Sequence, residues 1–131
     1  MQKFLIFLFV FNISSGLKAQ VHIAPDTIHF TNVPGTQVKK LGSDSLSSTF
    51  LIRIVTEVKP HYHANHTENV IVVKGSGIMK LGEKIINIKK GDIIIIPKGT
   101  VHSVISTGKK ALKVISIQSP FFDGKDRVMM D

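Results

Sequence analysis

The sequence predicts an all-β fold, a sandwich or barrel of short strands, and three observations predict it. Ile and Val recur in short runs rather than at helical spacing, Gly and Pro punctuate those runs at even intervals, and no helix-period segment of useful length follows the N-terminal stretch. The apolar share is 43%, with eight Phe, one Tyr and no Trp, a mix that favours strands and is not that of a disordered chain. A length of 131 residues fits one domain around one core.

The first stretch is an address rather than a strand. Met1-Gln2-Lys3 is a short positive start, Phe4 to Phe11 is an apolar run, and Asn12, Ser14, Ser15, Gly16 and Ala19 supply the polar and small residues that follow it. That order is the order of a secretory signal. Eight apolar residues are too few to span a bilayer. Residues 1–19 are therefore expected to be a signal peptide cleaved after Ala19, with cleavage after Gly16 as the alternative. The mature domain, 20–131, is expected to be periplasmic or secreted, with no stable membrane insertion once the signal is removed. No cysteine ends the apolar run, so a lipid anchor is not expected.

Val21 to Gly42 is mixed in character and is expected to be irregular, with edge strands around Thr27 to Phe30. Gly42 to Ser48 reads as a polar loop. Strands are then expected at Phe50 to Val58, Glu68 to Lys74, Ile78 to Leu81, Lys84 to Ile88, Asp92 to Ile96, Val101 to Thr107 and Leu112 to Gln118. The breaks between them carry Gly75, Gly77, Gly82, Gly91, Pro97, Gly99 and Gly108. Ile93 to Ile96 is apolar at four successive positions, which predicts cover on both faces of that strand, by the chain's own N-terminal segment or by a second copy in a homodimer. The tail from Pro120 to Asp131 is expected to fold back over the barrel or across a dimer.

Composition removes several classes of function. Without cysteine there is no disulfide framework, no zinc-thiolate site and no thiol nucleophile. The net charge of +8 invites a nucleic-acid reading, but the lysines come singly or in pairs beside turn glycines and are not interleaved with aromatics that could stack on bases. No nucleic-acid partner is expected. A small-molecule ligand is, and the basic balance points to an anionic one.

The chemistry lies in two segments. In Lys59 to Glu68, His61 and His63 are two apart, so an extended backbone sends both imidazoles to one face, and a bend at Asn65 to Thr67 lets Glu68 open the returning strand. Further on, the turn Pro97-Lys98-Gly99 leads to His102 on another strand. Three imidazoles and a carboxylate suit a borderline divalent ion, Mn, Fe, Co, Ni, Cu or Zn. An octahedral ion held by four protein ligands keeps two positions open for water, O2 or substrate. The expected ligands are His61, His63, Glu68 and His102. Export disfavours a site dependent on readily oxidised Fe(II), which turns the expectation toward Mn or Zn.

These residues also carry a resemblance. His61, His63, Glu68 and Gly75 are similar in spacing to the first motif of the cupin superfamily, and Gly91, Pro97, Gly99 and His102 to the second, with residues 76–90 between them. The resemblance covers Phe50 to Gln118. It implies a double-stranded β-helix, the jelly-roll barrel, and a three-histidine, one-glutamate metal site. Two positions depart from the pattern: Val55 stands where the first motif opens with Gly, and Ser106 where the second closes with Asn. Neither position is a ligand in the family. The implied activities are those of dioxygenases, isomerases, decarboxylases and lyases, and a non-catalytic binder of sugars or other small molecules is the alternative. Candidates for catalysis are Glu68, which resembles family members that shuttle a proton there, and His66 and Ser106, either of which could orient substrate. His66, inside the bend, is expected to be exposed. Arg53 is a candidate for an ion pair with Glu57 or for the pocket.

Overall fold

The computed structural model describes residues 21–130; the expected signal peptide, 1–19, lies outside the described residues. Ten strands follow in chain order: β1 (Thr36–Ser43), β2 (Ser48–Ile54), β3 (Glu57–Tyr62), β4 (Thr67–Lys74), β5 (Ser76–Leu81), β6 (Lys84–Lys89), β7 (Ile93–Ile96), β8 (His102–Ser106), β9 (Leu112–Ser119) and β10 (Val128–Met129). They form two five-stranded antiparallel sheets, ordered β1-β2-β9-β4-β7 and β10-β3-β8-β5-β6. The inner faces meet over a core that includes Ile54, Val70, Val72, Met79, Ile96, Val104, Leu112 and Val114. The alternation of buried and half-buried residues along β4 and β9 shows each strand feeding one face into that core.

Two sequence expectations need correction. The stretch from Phe50 to Val58 is two strands, β2 and β3, divided at Val55-Thr56. β2 then pairs with β9 while β3 crosses to the other sheet and pairs with β8, so the apolar run changes sheets midway. Second, the expected strands around Thr27 to Phe30 are absent; a single 3-10 turn covers Pro25–Thr27, and the edge strand is β1, eight residues long. β1 has little apolar periodicity because most of its side chains face solvent, and a bulge at Leu41 interrupts its pairing with β2. Within the described residues of one chain, β7 packs one face into the core. Ile94 and Ile96 enter the core, whereas Ile93 and Ile95 are 67% and 62% exposed.

The tail does fold back. Val128 and Met129 pair with Tyr62 and His61, and the Met130 N–H donates to the Pro60 carbonyl at 3.0 Å. This strap adds β10 to the edge of β3 and lays Phe121 to Asp126 across the turn between β3 and β4.

Candidate metal centre

The four expected ligands come from both sheets and converge at one point between them. His61 on β3 and His102 on β8 are direct cross-strand partners. Glu68 lies on β4 of the facing sheet, and His63 sits just past β3. All four side chains are buried, and one ligand atom from each lies within 4.8 Å of the others. The second segment also holds the first in place. Gly99, at φ +77°, adopts a backbone conformation that Gly takes at no steric cost, and its N–H donates to the His63 carbonyl at 2.6 Å. Gly75 likewise sits at φ +79°, where an added Cβ would stand 3.0 Å from the Ala111 carbonyl oxygen.

The hydrogen bonds fix which ring nitrogen faces inward. His61 Nδ1 meets the Lys59 carbonyl at 2.9 Å, His102 Nδ1 meets the Thr100 carbonyl at 2.9 Å, and His63 Nδ1 meets the Asp126 carbonyl. A carbonyl only accepts, so each Nδ1 donates, and in the neutral ring Nε2 keeps its lone pair for the site. The His63 and His102 Nε2 atoms stand 3.5 and 3.2 Å from Glu68 Oε2, while the Ser116 hydroxyl donates to Glu68 Oε1. His102 Nε2 is buried without a hydrogen-bond partner among the described residues. An orphaned buried nitrogen, backed by a ring already anchored through Nδ1, fits an absent metal ion.

Electrostatics at His61 and Glu68 suit a metal ligand, while His63 without the ion is drawn toward the protonated form by its carboxylate neighbour. Burial lowers the His61 imidazole to about 4, favouring the neutral form a metal requires. Burial opposes charge on Glu68, but the adjoining His102 and His63 imidazoles and the Ser116 hydroxyl outweigh it and hold the carboxyl well below the usual range. Burial likewise opposes charge on His63, and its contacts with Glu68 and Asp126 outweigh that and raise it.

The other candidates are placed less as expected. His66 is buried rather than exposed: Nδ1 faces Asp126 Oδ2 at 2.5 Å and Nε2 donates to the Phe121 carbonyl at 3.0 Å. It locks the strap to the turn, and both ring nitrogens are taken. Ser106 lies four residues along β8 from His102, roughly 13 Å at strand rise, and accepts the Leu112 N–H at 3.3 Å instead of reaching the pocket. Arg53 takes neither expected role; it donates to the Val33 carbonyl at 3.2 Å.

Four residues of the site were not foreseen. Ser116 and Gln118 occupy inward positions of β9 beside Glu68, Phe122 sets its ring edge-on to His63 and His66 at 5.4 and 5.1 Å, and Asp126 binds the turn. The Asp126 carboxylate accepts from the Ala64 and Asn65 amides at 2.9 and 2.7 Å. Burial works against its charge, but the His66 contact and these amides hold it down at about 2. The signal available for Ser116 and Gln118 was period-two alternation, since Leu112, Val114, Ser116 and Gln118 share one face. A cavity of about 140 Å³ opens beside the four ligands, lined by residues including Val58, Met79, Gln118, Phe122 and Arg127.

A jelly-roll pocket with four convergent residues that could hold a metal defines a class before it defines a chemistry, and comparison with known proteins gives the class its family. The cupin domain model matches residues 51–118, and this chain belongs to the cupin family. An uncharacterized protein of Aquifex aeolicus is 38% identical over 100 residues, 76% of this chain and 82% of the relative. Among solved structures, KdgF from Halomonas sp. superposes at TM-score 0.69 with 21% identity, covering 80% of this chain and 96% of that one. Streptomyces Pac13, a nucleoside dehydratase, superposes at TM-score 0.66 with 16% identity, covering 86% and 92%. At these identities the two structures share the fold.

Proposed function

We infer that this chain is an exported, metal-dependent cupin enzyme acting on a small molecule, within the dioxygenase, isomerase, decarboxylase or lyase range. The observation that carries the reading is the convergence of three Nδ1-anchored imidazoles and an ionised carboxylate beside a largely apolar cavity. The lyase type has added support in Pac13, a dehydratase on the same barrel. A divalent ion held by His61, His63, Glu68 and His102 would supply Lewis-acid polarisation of a bound oxygen. Mn and Zn suit an exported site better than Fe(II), with Ni and Cu compatible with the same donors. The chain's own residues orient the three rings and keep Glu68 charged, and Phe122 packs edge-on against His63.

Metal content measured by mass spectrometry on untagged protein tests the site. About one equivalent is expected in the wild type and none in His61→Ala/His63→Ala, as for a site with defined protein ligands. Stoichiometric metal in that double variant would overturn the assignment. Saturable ligand binding with no chemical change would instead make this a non-catalytic binding cupin. Export predicts a mature N-terminus at Gln20, or at Leu17 if cleavage follows Gly16, readable by intact-mass analysis of the secreted or periplasmic protein. The exposed Ile93 and Ile95 on β7 support a homodimer, and a monomer by sedimentation at micromolar concentration would count against it.

A further inference from the structure

Two polar groups in the pocket wall are left over once the metal centre has been described. Gln118 points inward from β9, is 5% exposed, and its Oε1 has no hydrogen-bond partner among the described residues. It is the cross-strand partner of Glu68, so its amide borders the metal centre. A buried amide oxygen without a partner is rare in folded proteins, because leaving it unpaired forfeits its hydration. Glu68 itself is already engaged with His63, His102 and Ser116.

Arg127 is the second group. It lines the same cavity from the strap. Its guanidinium makes no hydrogen bond or ion pair with a described residue. Its backbone is nevertheless held on both sides, by Asp126 bound to the 64–66 turn and by Val128 paired with Tyr62. A five-donor cation on an exposed residue at the edge of this cavity has the chemistry of an oxyanion anchor. Away from the four ligands the wall is mostly aliphatic, Val58, Val70, Met79 and Val104 among its residues. At about 140 Å³ the cavity is slightly smaller than one of about 150 Å³ that binds benzene, which limits its ligand to a compact small molecule.

We propose that Gln118 and Arg127 form the ligand-recognising pair of this pocket, and that they select a small carboxylate with a hydroxyl donor and a compact apolar body. The carboxylate lies against Arg127, the hydroxyl against Gln118 Oε1, and the aliphatic part against the valines and Met79. The assignment deepens the metal-enzyme reading and rests on it for the location of the pocket, but recognition by the two side chains does not require the metal.

The test uses 2-hydroxyisovalerate as probe, with isovalerate lacking the hydroxyl and 2-hydroxyisovaleramide lacking the charge. Calorimetric titration is run on the full mature chain, metal-loaded and chelator-treated, for wild type, Arg127→Gln and Gln118→Met. In both metal states the wild type is expected to bind the hydroxy acid more tightly than either analogue. Arg127→Gln should weaken the hydroxy acid about ten-fold or more while leaving the amide unchanged. Gln118→Met should abolish the preference for the hydroxy acid over isovalerate and should keep or raise Tm, since it removes an unpaired buried amide. Metal stoichiometry should be unchanged in both variants. No wild-type preference for the hydroxy acid, an equal loss of all three probes in Arg127→Gln, or a fall in Tm in Gln118→Met each overturns the assignment. Loss of metal binding by the wild type would sink the enzyme reading alone, because the chelator-treated arm still tests the pair.

Discussion

Ser116→Ala isolates the support that the barrel gives its one carboxylate ligand. The Ser116 side chain is 0% exposed and donates to Glu68 Oε1, opposite the oxygen that faces His63 and His102. Removing that hydroxyl deletes a charge-assisted hydrogen bond at a site water does not reach, a loss of about 1.5–3 kcal/mol. The void left is one oxygen atom, so the cavity contribution is small beside it. At about 4 °C per kcal/mol for a domain of this size, Tm of the metal-free protein should fall by roughly 6–12 °C. Metal affinity should fall by about 10–100-fold, as it does when partners behind a ligand are lost, and competition against a chromophoric chelator reads it. A variant with unchanged Tm and unchanged metal affinity would refute the claim that Ser116 holds Glu68.

Two further outcomes follow from the same contacts. In metal-free protein His61 is lowered to about 4, so the unfolded chain binds more protons between about 4 and 6.5, and stability should fall by up to about 3 kcal/mol as pH drops through that window. His63 has the opposite sign: its raised value gives stability that is complete below about 6.5 and is lost as pH climbs past its folded value. Urea midpoints should therefore peak near neutrality, and a midpoint that does not fall between pH 6.5 and 4 would contradict the burial of His61. Asp126→Ala removes the acceptor of two turn amides and the partner of His66, with an expected loss of about 2 kcal/mol. Hydrogen exchange should show faster exchange at the Met130 amide and in β10; protection equal to wild type there would mean the strap is held by something other than Asp126.

The sequence by itself determined the strand-rich class, the family, and the identity of the four convergent residues. It could do so because His61 and His63 share a face through the two-residue strand period, and because Gly75 and Gly99 are required by backbone conformations that few other residues adopt. Most of the later strands were legible for the same reason, since alternation along β4 and β9 is written in adjacent residues. What only the tertiary structure decided depends on contacts between residues distant in the chain. The division of Phe50 to Val58 between two sheets is set by which partner each half finds, β9 or β8, and not by its own pattern. His66 read as a turn residue bound for solvent, yet a carboxylate 60 positions later covers it. Exposure of Ile93 and Ile95 depends on what packs over β7, which four identical residues cannot specify. Ser116, Gln118 and Arg127 belong to no spacing motif; their significance comes from the barrel closing around them, which sets one hydroxyl on Glu68 and brings an amide and a guanidinium to the same cavity. Local periodicity records which way a side chain points, but whether a polar group is satisfied there is a property of the closed barrel.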